Sequence, residues 1–83
     1  MSMSLETART AVRALGELKA GEGCFIPTLR TAVTLAAAYD LAQMLRRRFS
    51  YRVTVVDNKF GILFTRSATS YPAGLRNEDK KES

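Results

Sequence analysis

The sequence predicts a small α+β domain in the order αβαββ, a three-stranded antiparallel-type sheet packed on one long helix and preceded by a short N-terminal helix. Three observations point to it. The stretch Leu29 to Ser50, LRTAVTLAAAYDLAQMLRRRFS, places apolar residues at helical spacing. Two runs rich in β-branched, aliphatic and aromatic residues, YRVTVV and GILFTR, follow it on either side of Asp57-Asn58-Lys59. Ahead of the helix, Cys24-Phe25-Ile26 offers a third short strand, closed by Pro27, which cannot donate to a sheet ladder.

In chain order, Ser4 can cap a first helix, because its hydroxyl can accept from an amide of the first turn. Leu5, Ala8, Val12 and Leu15 then share one face, which predicts a helix over 5–15 that stops at Gly16. Gly21 and Gly23 bracket Glu22 and read as a turn. In the second helix the expected buried stripe is Val33, Ala37, Leu41, Met44 and Leu45, ending near Arg48. Alternation puts Tyr51, Val53 and Val55 on one face of the next strand and Arg52, Thr54 and Val56 on the other. Asp57-Asn58-Lys59 is turn chemistry, because Asp and Asn tolerate unusual backbone angles. Gly61 is expected to mark a bulge in the last strand. Residues 1–66 therefore read as one domain, and 67–83 as a disordered polar tail.

Composition removes several kinds of chemistry. With no histidine, a histidine triad or a histidine–zinc site is excluded, and the single cysteine, Cys24, can form no internal disulfide. No cofactor or metal is expected, and no catalytic residue stands out. Cys24 reads as an ordinary half-buried strand cysteine. Gly21-Glu22-Gly23 lacks the lysine and hydroxyl residue that a phosphate loop needs, so it too reads as structural. The N-terminal MSMSLETARTAVR shows no basic run followed by an apolar block, and the apolar stretch of the second helix is too short to span a bilayer. A cytoplasmic, non-membrane protein is the expectation.

Charge is unevenly placed. Residues 1–29 and 67–83 each balance to zero. The whole net charge of +5 falls between Arg30 and Arg66, where only Asp40 and Asp57 offset the cations. Asp40 is expected to pair with Arg47, Arg48 or Lys59. A local basic surplus favours polyanions or an acidic protein surface. The candidate binding residues are Arg46, Arg47, Arg48, Arg52, Lys59 and Arg66. Arginine's planar fork suits phosphate, although cations at a helix C-terminus also complement its dipole. Three consecutive helical residues point about 100° apart, so the triplet cannot all face one ligand. Tyr51, Phe60 and Phe64 interleave with these cations and could stack bases, but alternation puts Phe60, Ile62 and Phe64 on one face, which favours packing under the helix.

The run Leu18-Lys19-Ala20-Gly21-Glu22-Gly23-Cys24-Phe25-Ile26-Pro27 resembles the opening of a small uncharacterised phage-type domain. That pattern has a Gly-acidic-x-x-Phe-aliphatic-Pro opening, a helix, basic residues, an Arg-bearing strand and a final Gly-aliphatic-x-aromatic-x-Arg strand. Here the later parts are Arg46 to Arg48, Tyr51-Arg52 and Gly61-Ile62-Leu63-Phe64-Thr65-Arg66. The resemblance covers residues 15–66. The helix here is longer and more apolar, and Phe64 stands where tryptophan is common. It implies a phage or prophage origin, a small accessory role in the bacterial cytoplasm and no catalytic residue. The expected function is non-enzymatic binding of an anionic partner, with DNA or RNA first. The alternative is a modulator that docks on an acidic surface of a host protein and inhibits or redirects it. Open sheet edges make a homodimer a further expectation.

Overall fold

The computed structural model describes residues 5–78. Its elements are helix α1 (Leu5–Val12), a 3-10 turn (Arg13–Glu17), β1 (Gly23–Pro27), helix α2 (Thr31–Leu45), β2 (Arg48–Val56), β3 (Lys59–Arg66) and β4 (Gly74–Asn77). The four strands form one mixed sheet in the order β1-β3-β2-β4. Strands β1 and β2 pair antiparallel with β3, while β4 pairs parallel with β2. The α+β class is as expected. The sheet has one strand more than the three expected, and the extra strand lies within the stretch read as a disordered tail. The proposed N-cap Ser4 and residues 79–83 lie outside the described residues.

Helix α1 buries Ala8 and Val12, and the 3-10 turn that tightens its end buries Leu15. Leu18 is extended and ends the helical path. The following turn is tied to the sheet: the Gly21 amide donates to the Arg66 carbonyl at 2.8 Å, and the Arg66 amide donates to the Glu22 carbonyl at 2.9 Å. Gly21 sits at φ 87, which a side chain would disfavour.

Helix α2 buries Thr34, Ala37, Ala38 and Ala42. The expected stripe is therefore rotated: Ala37 holds its place, Val33 and Leu41 are half-buried, and Met44 is 79% exposed. The reason is two-sided packing. Helix α2 lies against both α1 and the sheet, so small side chains occupy the closest approach and larger ones move to the margins. Thr34 is satisfied inside, its hydroxyl lying 3.0 Å from that of Thr28 and 2.9 Å from the Arg30 carbonyl.

Helix α2 also ends earlier than expected, at Leu45. Arg46 takes the left-handed conformation at φ 53. The Arg46 amide donates to the Gln43 carbonyl at 3.2 Å and the Arg47 amide to the Ala42 carbonyl at 3.0 Å. These two bonds form a Schellman closure. Arg48 consequently begins β2 rather than ending the helix.

The β2–β3 hairpin turns through Asp57 and Asn58, both at positive φ (51 and 63), as a type I′ turn requires. No bulge occurs at Gly61: it pairs in register with Thr54 on one side and Pro27 on the other. A Cβ there would strike the Ile26 carbonyl oxygen, with Phe25 Cζ and Pro27 Cα each 2.8 Å away. Glycine is required because β1 and β3 approach so closely at this rung.

Beyond β3, the chain crosses the start of β2 to reach its far side. The Ser67 amide donates to the Arg48 carbonyl at 2.9 Å and the Gly74 amide to the Arg47 carbonyl at 3.0 Å. Gln43 Nε2 donates to the Ala73 carbonyl at 3.0 Å, pinning this crossover to α2. Both helices cover the same face of the sheet. Phe49, Ile62, Phe64 and Ile26 from that face join Val12 and Leu15 in a single core. Among the described residues, no helix is long and apolar enough to cross a membrane.

Candidate nucleic-acid interface

Strand alternation sorts the sheet into two unlike faces. The buried or half-buried Phe49, Tyr51, Val53, Ile62, Phe64 and Leu75 point towards the helices. The opposite parity sends Arg48, Ser50, Arg52 and Thr54 of β2 outward, with Leu63 and Thr65 of β3, Phe25 of β1 and Arg76 of β4. Among these outward residues none is buried, and none belongs to the core. No described helix covers this face.

The register arranges the outward side chains in rows. Thr65, Ser50 and Arg76 form one row, and Phe25, Leu63 and Arg52 form the next. Arg76 sits diagonally between Arg48 and Arg52, within reach of both. Three guanidinium groups thus converge on one open surface, each a planar donor fork matched to phosphate. Arg48 is held in place: its Nη1 donates to the Pro72 carbonyl in the crossover at 3.3 Å.

The expected cations separate into distinct groups. Arg48, Arg52 and Lys59 lie on the open face. Lys59 pairs with Val56 at the hairpin tip, four rungs from Arg52, or roughly 13 Å along the strand. Arg46 is exposed at the end of α2. Arg47 and Arg66 are spent on structure: Arg47 Nη1 donates to the Gly16 carbonyl at 3.0 Å and Arg66 Nη1 to the Leu18 carbonyl at 2.7 Å. Both clamp the end of the first helical segment to the body, because backbone carbonyls there lack helical donors. Asp40, expected beside Arg47, Arg48 or Lys59, lines a groove between α1 and α2 together with Arg9 and Arg13.

Arg76 was not among the expected binding residues. Its signal was Leu75, the only large aliphatic residue in the stretch 67–83, which anchors β4 while its neighbour points outward. The aromatic expectation resolves towards packing. Tyr51 and Phe64 lie on the helix side with ring centroids 6.4 Å apart. Phe60 shares that side and is 40% exposed near the hairpin tip. The ring on the open face is Phe25, which lies over Gly61 beside Leu63.

At the β2–β4 end the open face deepens into a polar cavity of about 300 Å³. Arg48, Ser50 and Arg76 rise from the strands, and Ser67 and Thr69 of the crossover form a wall. Asn77 and Glu78 close it at the end of β4, where the Glu78 amide donates to the Tyr51 carbonyl at 2.8 Å. No cluster of metal-ligating side chains occurs among the described residues.

The chain matches no family model, no curated protein and no solved structure.

Proposed function

We propose that this protein binds single-stranded nucleic acid across the open face of its sheet. One observation carries the reading: strand parity and the β2–β4 register gather Arg48, Arg52 and Arg76 on a face that no described helix covers. Phosphates spaced along an extended strand suit cations spaced along a sheet. Phe25 and Leu63 supply a small apolar platform on which a base can rest, next to Arg52. A duplex is disfavoured, because among the described residues the face presents no helix or ribbon of a shape to enter a major groove. The protein acts here as a binding module, without a chemical step.

The test is a fluorescence-anisotropy titration with a twelve-nucleotide single strand and the matching duplex. Three phosphate contacts give a log–log salt slope of about −2 for a single strand. A slope near zero, or tighter binding to the duplex, contradicts the reading.

A second reading, docking on an acidic protein surface, is favoured by one separate feature. Val55 and Phe60 face each other across the hairpin tip on the helix side, 59% and 40% exposed. An exposed pair of an aromatic and an aliphatic side chain is the composition of a small protein contact. Pull-down from nuclease-treated lysate, with Phe60→Ser as control, distinguishes the two: a stoichiometric protein lost with that substitution supports docking.

A further inference from the structure

The cavity at the β2–β4 end contains more than a phosphate needs. Arg48 and Arg76 supply two cationic forks, but Glu78 opposes them with a carboxylate that accepts and never donates. A bare inorganic anion, or a deoxyribose phosphate, draws both forks away from Glu78 and leaves its carboxylate beside a negative charge with only the neutral hydroxyls of the wall to accept from. Ser67 and Thr69 of the wall can donate or accept, while the Ser50 hydroxyl donates to the Thr65 carbonyl at 3.5 Å. The combination asks for a ligand that presents an anion and, beside it, hydroxyl donors. The cavity's size, about 300 Å³, is at the small end of ligand sites, enough for a sugar phosphate and too small for a large cofactor.

We infer that this cavity is a ribose-phosphate site, in which Arg48 and Arg76 hold the phosphate and Glu78 accepts a hydrogen bond from a ribose hydroxyl. The cavity opens onto the face that carries Arg52, so this inference rests on the binding role proposed above and deepens it: the strand recognised is RNA. The 2′-hydroxyl is the group that separates RNA from DNA at a given site. A carboxylate acceptor reads it directly, and the same carboxylate repels a backbone that lacks it.

The experiment titrates the full chain with labelled oligo(U) and oligo(dU) of twelve nucleotides, which differ only in that hydroxyl. Oligo(U) is expected to bind about tenfold tighter, the value of one hydrogen bond to a charged group. Glu78→Ala is expected to weaken oligo(U) and to strengthen oligo(dU), because it removes both the acceptor and the repulsion. Arg76→Ala is expected to weaken both strands. Displacement by UMP at millimolar concentration, with none by dUMP, shows that a free ribonucleotide suffices as ligand. Equal affinity for the two strands, or a strand ratio unchanged by Glu78→Ala, overturns the ribose site and leaves the open-face reading standing. Absence of binding to either strand at 50 mM salt overturns both. Circular dichroism of each variant guards against a folding defect, and Glu78 and Arg76 are both exposed.

Discussion

The guanidinium of Arg66 donates to the backbone carbonyl of Leu18 at 2.7 Å, joining the last residue of β3 to a segment 48 residues earlier. Arg47 makes the matching bond to Gly16 at 3.0 Å. Two arginines of the basic stretch therefore act as struts for the end of the first helical segment. Their work is to satisfy carbonyls that no helical amide reaches.

Arg66→Ala is accordingly expected to lower stability by about 2 kcal/mol, the range for a hydrogen bond from a charged donor. In a domain of this size that is a fall in Tm of roughly 8–16 °C. Affinity for a single strand, measured on the folded fraction, is expected to stay within twofold of the parent. A thermal melt and an anisotropy titration on the same preparation check both halves.

Arg46 bears on the same distinction from the other side. It occupies a left-handed position at φ 53 that glycine accepts without strain. Arg46→Gly is expected to stabilise the protein by about 1 kcal/mol, read from urea denaturation at constant m-value. It is also expected to leave strand binding intact, because Arg46 lies off the open face.

The close approach of β1 and β3 predicts intolerance at one rung. Gly61→Ala sets a methyl group against the Ile26 carbonyl and Pro27 Cα, neither of which can move without shifting β1. A loss of about 3 kcal/mol is expected by denaturant titration, typical of severe overpacking. Gly21 faces open space in the same structure, so Gly21→Ala carries only the backbone strain of its φ of 87 and is expected to cost less.

Thr34 is a buried polar residue in an alanine-lined helix face. Thr34→Val keeps the shape and removes the hydroxyl that lies 3.0 Å from Thr28 and 2.9 Å from the Arg30 carbonyl. A loss of about 1–2 kcal/mol is expected, since the partners at the start of α2 lose a buried neighbour. A chemical denaturation curve checks it.

The hairpin was the most legible part of the sequence. Tyr51 to Val56 alternates cleanly, and Asp57-Asn58 is residue chemistry suited to a turn with two positive φ values. The helix stripe was harder to read. Met44 and Leu45 have the right spacing for burial, but α2 is packed on two sides and the tightest contacts admit only Ala37, Ala38 and Ala42. The helix end was hidden because an arginine, unlike glycine or asparagine, carries no signal for the left-handed region. That one conformation moves Arg48 from helix to strand and splits the Arg46–Arg48 run across three surroundings. Strand β4 was missed because four residues with a single large apolar side chain have little local strand character. Its pairing is imposed by β2, through bonds such as Glu78 to Tyr51. With β4 missed, Arg76 was missed too, and with it the cavity.

The proposed binding belongs to the open face and does not follow basic charge in general. The direct measurement is single-strand affinity against salt for the parent, for Arg48→Ala/Arg52→Ala/Arg76→Ala, and for Arg46→Gly. The expected results are a parent log–log slope of about −2, a slope near zero with weak residual binding for the triple variant, and parental behaviour for Arg46→Gly. A folded triple variant that binds like the parent, or an Arg46→Gly protein that loses as much affinity as the triple variant, would contradict it.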